Sequence, residues 1–491
     1  MKAVKKYTIN LDFITAEVEI VDRNDFVMYY EIKLPKLEKG AEILKEEVKE
    51  KIISEIPIKE FVDKEGYEKL KTEIFKKTKE EIKKIIKLRE SELNFLANLI
   101  TIEMLGTGII ELLIADPNLE EIAINNSKEP IWVYHKSFGW LKTNIILKSE
   151  QEISNIASII GRRVGRQINI LNPLMDAYLL SGDRVNATLF PISAFGNTIT
   201  IRKFRRNPWT IIDFINTKTI SLDAAAYIWQ AVQYELNIII AGGTGSGKTS
   251  LLNVILEFIP PNQRIVSIED TREISLTSFH HWVPLVTRAA SAEGKGEIRM
   301  LDLLVNSLRM RPDRIVVGEI RRAEEAEVLF EAMHTGHSVY ATLHAETAEQ
   351  AYRRLTHEPI NVPETLMESL HLFAVMFRER RRGIRRLFQI SEVVNFMPQK
   401  VNDLYRWDPK IDEIKKANES LRVSEELELF TGLTKKEQLD DLEEKKKILK
   451  WFLDNNFNGI ENIGKIVAIY YKNKEEVLNA ISNNKKPQSL L

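Results

Sequence analysis

The chain has no cysteine among its 491 residues. That absence excludes a disulfide framework, a thiolate metal site and a cysteine nucleophile together. It also lacks an excess of charge of either sign: 70 Lys and Arg stand against 71 Asp and Glu, for a formal net charge of −1. Without a basic field, no nucleic-acid partner is expected. There is no run of 18 apolar residues, so no membrane-spanning helix is expected. Met1-Lys2-Ala3-Val4-Lys5-Lys6 leads into the alternating Tyr7-Thr8-Ile9-Asn10-Leu11-Asp12 without the apolar core of a signal peptide. An intracellular location follows as an expectation. The length predicts several domains.

Against these absences stands Gly242-Gly243-Thr244-Gly245-Ser246-Gly247-Lys248-Thr249. It matches G-x-x-x-x-G-K-[ST], the phosphate-binding loop of nucleoside triphosphatases. The context agrees: Asn237-Ile238-Ile239-Ile240-Ala241 reads as a buried parallel strand, and Ser250-Leu251-Leu252-Asn253-Val254-Ile255-Leu256 as the start of a helix. The glycines let the backbone curl so that main-chain N–H groups point at a polyphosphate, and the helix N-terminus adds its positive dipole end. Gly243, Thr244, Gly245, Ser246, Gly247 and Ser250 are therefore expected around the phosphates of ATP. Lys248 is expected on the β- and γ-phosphates, and the Thr249 hydroxyl on Mg²⁺.

A phosphate loop says only that a triphosphate binds. Two further apolar runs end in acids: Arg264-Ile265-Val266-Ser267-Ile268 in Glu269-Asp270, and Arg314-Ile315-Val316-Val317-Gly318 in Glu319. In a parallel sheet the carboxyl ends of strands meet at the ligand. Carboxylates there can hold Mg²⁺, the role considered for Glu269, or polarise the attacking water. His344 closes the run Ser338-Val339-Tyr340-Ala341-Thr342-Leu343, just before Thr347-Ala348-Glu349-Gln350, a capping box. It is expected to sense the γ-phosphate rather than ligate a metal, because no metal-type histidine spacing is present. Arg309, Arg311, Arg321, Arg322, Arg202, Arg205 and Arg206 supply candidates for a cation that meets the developing charge. Arg378-Glu379-Arg380-Arg381-Arg382-Gly383-Ile384-Arg385-Arg386 reads as a basic hairpin turn, either a solvated tip, a subunit contact or a contact with anionic lipid.

Along the chain, residues 1–93 are charged, with an amphipathic helical stretch from Lys59 to Glu92 carrying Leu70, Ile74, Ile82, Ile85 and Ile86. Residues 94–204 read as an α/β domain, with strands at Glu121–Asn125, Ile131–His135, Arg184–Phe190 and Thr198–Phe204 and a helix opened by Ser149. Residues 205–215, with Pro208, read as a hinge. Residues 216–397 alternate strands and helices, which predicts a parallel sheet with helices on both faces. Residues 398–491 are expected to be helical.

Taken in order, Gly242–Thr249, Ile268-Glu269-Asp270-Thr271-Arg272-Glu273, Leu308-Arg309-Met310-Arg311-Pro312-Asp313-Arg314 through Arg321, and Gly336-His337 with Thr342-Leu343-His344 resemble the secretion-superfamily traffic ATPases. These serve type II and type IV secretion, type IV pilus assembly and the archaellum. The four stretches resemble that family's Walker A, Asp box, Walker B and His box. Upstream, Asp176–Thr188 and Thr200-Ile201-Arg202-Lys203-Phe204 resemble its second N-terminal domain. Ile131–His135, Gly139-Trp140, Thr143-Asn144-Ile145 and Tyr405-Arg406-Trp407-Asp408-Pro409 look like its archaeal branch. The resemblance covers roughly residues 94–480.

It implies a RecA-type core preceded by a smaller α/β domain on a hinge and followed by a helical section, and hydrolysis of ATP with Mg²⁺. Glu269 would be the Asp-box acid, Glu319 the Walker B glutamate and His344 the His-box sensor. Arg309 and Arg202 would be arginine fingers, with Arg184 a further nucleotide-binding candidate. A homo-hexamer peripheral at the inner face of the cell membrane is implied, moving a polytopic platform protein on which residues 1–93 could dock. Three features set this chain apart within the family, the last two bearing on the machine. Gly318 stands where the family carries Asp, and no four-cysteine zinc motif exists. Arg311-Pro312-Asp313-Arg314 looks more like the pilus and type IV secretion subgroup than the archaellum motor. An archaellum motor, a nucleic-acid motor on the same core and a nucleotide-gated scaffold remain alternatives.

Overall fold

The chain folds as two units, Met1–Arg205 and Arg206–Leu491. The computed structural model describes residues 2–35, 39–55, 64–105, 107–179, 181–204, 208–288, 290, 295–379, 381–394 and 400–491. Arg205 and Arg206 of the expected hinge, Arg380 of the basic turn and Pro398 lie outside the described residues.

The first unit is built on one nine-stranded sheet. Its strands are β1 Lys2–Leu11, β2 Ile14–Asp22, β3 Tyr29–Lys33, β4 Leu119–Ile124, β5 Trp132–His135, β6 Gly139–Thr143, β7 Leu174–Tyr178, β8 Arg184–Thr188 and β9 Thr198–Arg202. Their order is β1-β2-β3-β6-β5-β4-β9-β8-β7. Ile14, Ala16, Val18 and Ile20 alternate with exposed or half-buried residues along β2, so one face of the strand enters the core. The charged front of the chain thus contributes three strands to the sheet that carries β4–β9. Asp116 ties the two parts together, because its carboxylate accepts from the Tyr7 and Tyr30 hydroxyls at 2.7 and 2.8 Å.

Helix Glu150–Arg163 starts at Ser149, whose side chain accepts from the Glu152 amide, and buries Ile153, Ile156, Ala157 and Ile160. Helix Lys64–Ile85 buries Ile74 and Ile82, but Ile85 and Ile86 are exposed, since the helix ends there and its apolar stripe ends with it.

The second unit carries β10 Ile238–Gly242, β11 Arg264–Glu269, β12 His281–Val286, β13 Arg314–Val317, β14 Ser338–Leu343, β15 Leu372–Glu379, β16 Ile384–Val393, β17 Val401–Asp408 and β18 Glu413–Lys416. They form a sheet in the order β12-β11-β13-β14-β10-β15-β16-β17-β18. From β12 to β15 every pairing is parallel, and from β15 to β18 every pairing is antiparallel.

The period of two in the apolar runs divides this unit into two cores. Ile238, Ile240, Ile265, Val316 and Tyr340 pack with helices Leu222–Gln233, Lys248–Leu256 and Lys435–Asp454. Ile239, Ala241, Val266, Ile268, Ile315, Val317, Val339 and Ala341 pack with helices Met300–Ser307, Ala323–His334 and Ala348–Thr356. This is the α/β core with helices on both faces. The last section differs from its expectation in one respect. Before the helices, β17 and β18 extend the sheet, because Val401, Leu404, Tyr405 and Trp407 find apolar cover there. Among the described residues no helix is long and apolar enough to cross a membrane.

Candidate nucleotide site

Parallel pairing brings the carboxyl ends of β10, β11, β13 and β14 to one edge, so whatever follows each strand in the sequence arrives there. The glycine-rich loop follows β10, Asp270–Glu273 follow β11, Gly318-Glu319 follow β13 and His344 follows β14. Because β14 lies between β10 and β13, His344 is placed between the loop and Glu319.

The loop is backbone-driven. Gly242 has φ +154°, and a Cβ there would lie 2.5 Å from both the Met376 carbonyl oxygen and Ser246 Oγ. Gly247 takes φ +100° as it opens helix Lys248–Leu256, a region that favours glycine. Lys248 is buried, and its Nζ donates to the carbonyls of Gly242 and Gly243 at 3.0 and 3.1 Å. Burial lowers its pKa, while the charges of Glu319 and Glu273 act in the opposite direction. Thr249 and Ser250 are half-buried in the first helical turn. Ser246 Oγ is buried with no hydrogen-bond partner.

From Lys248 a chain of contacts runs across the edge. Its Nζ lies 3.3 Å from His344 Nδ1. His344 Nε2 lies 3.2 Å from Glu319 Oε1. Arg321 donates through Nη2 to Glu319 Oε2 at 2.8 Å and through Nη1 to Asp270 Oδ2 at 2.5 Å. Burial first and the Lys248 charge second lower the His344 pKa, so the ring is neutral near pH 7. Lys248 has only donors, and Glu319 as a carboxylate only acceptors. The tautomer follows: Nδ1 accepts from Lys248, and Nε2–H donates to Glu319.

Glu269 behaves differently from Glu319. Its Oε1 accepts the amides of Glu273 and Ile274 at 2.8 and 2.9 Å, and its Oε2 is buried without a partner. Burial pushes its carboxyl up to about 7, against the two amides, which lower it. Its carboxylate therefore shapes the turn after β11, and the acid of this segment whose charge reaches Lys248 is Glu273. Sequence reading singled out Glu269 from its strand-end position. The signal for Glu273 was its spacing of four residues, which lets one acid cap the turn that presents the other.

The remaining arginines are dispersed. Arg309 is exposed on the short helix Leu308–Met310, which precedes the amino end of β13, the strand end opposite Glu319. Arg184 and Arg202 face each other across β8 and β9 in the first unit. Arg184 donates to Asp176 at 2.9 and 2.5 Å. The basic turn belongs to the β15–β16 hairpin: Arg385 Nε donates to the Gly245 carbonyl at 3.0 Å, and Arg386 is buried on Asp412. A cleft of about 490 Å³ opens beside the loop, lined by Gly243, Thr244, Ser246, His344, Gln350 and Arg378 among others.

Among the described residues, no group of three or more His, Asp or Glu side chains is arranged to hold a metal. Thr249, half-buried in the first turn of the helix beside Lys248, offers a hydroxyl oxygen, a donor of the kind Mg²⁺ takes alongside waters and phosphate oxygens.

Known proteins are similar to this chain over much of its length. The family model described as "Type II/IV secretion system protein" matches residues 180–382. An uncharacterized protein of Methanocaldococcus jannaschii is 37% identical over 334 residues, 67% of this chain and 60% of that protein. The chain therefore spans about three fifths of that relative's length. The type IV secretion system protein PtlH of Bordetella pertussis is 30% identical over 303 residues, 55% of this chain and 88% of PtlH. Among solved structures, the Legionella pneumophila ATPase DotB is 20% identical, with 72% of this chain and 88% of DotB covered at a TM-score of 0.43.

Proposed function

This chain belongs to the type II/IV secretion ATPase family, and from that premise we propose that it hydrolyses ATP at Gly242–Thr249. The observation that supports this reading best is the continuous set of contacts Lys248–His344–Glu319–Arg321–Asp270 at the carboxyl edge of the sheet. A loop that only bound nucleotide would not require a carboxylate held beside the phosphate lysine by a neutral histidine.

In this reading Lys248 and the loop amides hold the phosphates, and Thr249 holds Mg²⁺, which supplies charge neutralisation when bound. Glu319 orients the attacking water, with Arg321 holding its carboxylate in place. His344 couples the two: a γ-phosphate that draws Lys248 away from Nδ1 changes the hydrogen bond on Nε2, and so reports occupancy to Glu319. The charge of Glu273 acts on Lys248, and Glu269 holds the turn on which Glu273 sits. Arg309 and Arg202 are proposed as arginine fingers towards a neighbouring subunit, with Arg184 as a further phosphate contact.

The machine is proposed as a homo-hexameric ring that powers secretion or assembly of a type IV pilus-like filament. It would act through a polytopic membrane protein, at the cytoplasmic face of the membrane. ATP turnover tests the hydrolytic part. Lys248→Ala is expected to lose binding and turnover. Glu319→Gln is expected to keep ATP affinity while turnover falls about 10²–10⁴-fold, the range for loss of a general base. Normal turnover in Glu319→Gln would remove Glu319 from the reaction.

A further inference from the structure

The basic hairpin holds two arginines that the hydrolytic reading leaves without a role. Arg378 on β15 and Arg385 on β16 are direct cross-strand partners. Like charges in that relation destabilise a sheet unless something opposes them. Among the described residues neither guanidinium forms an ion pair, although Arg382 and Arg386 in the same hairpin each have one. Glu346 lines the same cleft as Arg378 but is not paired with it.

Both arginines converge on Gly245 of the phosphate loop. Arg385 Nε donates to its carbonyl at 3.0 Å, and Arg378 Nη1 lies 2.7 Å from where a Cβ would stand. Arg378 Nε is buried with no hydrogen-bond partner, as is Ser246 Oγ on the loop beside it. β15 neighbours β10 on the side away from β14 and β13. The hairpin thus flanks the loop on one side and the His344–Glu319 pair on the other.

We propose that Arg378 and Arg385 are phosphate ligands supplied by the chain's own hairpin, which grip the polyphosphate of a nucleoside triphosphate from the side opposite Glu319. The argument rests on the nucleotide reading of Gly242–Thr249. A guanidinium matches phosphate oxygens two at a time, and a polyphosphate carries enough negative charge to oppose two of them. The hairpin then makes affinity depend on the phosphate chain and not on the base. It also gives the loop a cation wall on each flank, Lys248 beneath and the arginine pair at the side.

Equilibrium binding of ATP, ADP and AMP to the full chain tests this, using wild type, Arg378→Gln, Arg385→Gln, Arg378→Lys and Lys248→Ala. Glutamine at 385 keeps an N–H donor for the Gly245 carbonyl and removes only the charge. Each glutamine variant is expected to bind ATP about 10–100-fold more weakly, as for loss of charged hydrogen bonds. AMP affinity should be unchanged, the unliganded melting temperature no lower, and Arg378→Lys partly recovered. If the glutamine variants bind ATP within twofold of wild type while Lys248→Ala has lost it, the arginine proposal is overturned and the nucleotide reading stands. Equal losses for ATP and AMP would show that the hairpin only shapes the loop, which also overturns it. If wild type itself binds no ATP, both fall together.

Discussion

Arg314 and Lys248 are both buried cations of one sheet, placed at its opposite ends, and their surroundings could hardly differ more. Arg314 opens β13 and is fully buried, yet its donors are taken: Nε by Gln263, Nη1 by Ser338 and Tyr340, and Nη2 by the Val232 carbonyl, all between 2.7 and 3.0 Å. Lys248 leans on two loop carbonyls and a neutral histidine, with unpartnered buried atoms of Ser246 and Arg378 nearby. A saturated buried cation stabilises a fold because nothing remains for a ligand to add. An under-satisfied one keeps free energy in reserve for binding.

That contrast can be broken in several ways. Arg314→Met should be the most damaging to stability, by about 3–5 kcal/mol in chemical denaturation, because it orphans the buried Ser338 and Tyr340 hydroxyls and the buried Val232 carbonyl. A loss under about 1 kcal/mol would mean the network is not a structural anchor. Glu269 comes next. Its carboxyl is raised to about 7 in the fold, against an ordinary value near 4.5. The native state therefore keeps a proton that the unfolded chain has lost, and stability falls as pH rises through that window. The expected drop is about 3 kcal/mol, complete above pH 7 in nucleotide-free protein. Glu269→Gln should flatten this profile, and an unchanged slope would show that another group carries it.

Asp412 gives the opposite sign. Its bidentate contact with buried Arg386 lowers its carboxyl to about 2. The stabilisation is present above the unfolded value and is lost as pH falls towards 2. Asp412→Asn should cost about 1 kcal/mol at neutral pH, since solvent screens the carboxylate, and little at pH 2, as read by urea midpoints. The smallest stability effect is expected for Lys248→Ala, below about 1 kcal/mol, since losing its carbonyl contacts is offset by removing a desolvated charge. A large destabilisation there would erase the distinction between the two cations.

Much of the site could be read along the chain, because it is built from strand ends and a local loop. Gly242–Thr249 has its own backbone logic, and Glu319 and His344 each follow an apolar run, so one rule about parallel sheets brought them to one edge. Three things escaped that rule. Glu269 and Glu273 sit four residues apart, and only the folded turn shows which one is swallowed by backbone amides. Arg378 and Arg385 read along the chain as a basic turn open to solvent, a subunit or anionic lipid, and only strand order places their hairpin beside β10. The three front strands pair locally with one another, but the joint that places them in the larger sheet, β3 on β6, spans about a hundred residues, and period-two alternation names no neighbour.

What the sequence by itself determined is the chemistry at each strand end: a phosphate loop, acids and a histidine, all consequences of local spacing and side-chain type. What only the tertiary structure decided is which of these groups touch. Contacts such as His344 between Lys248 and Glu319, or two arginines on Gly245, depend on strand order. Strand order is settled by the packing of two apolar faces across the whole unit, which no local run of residues encodes.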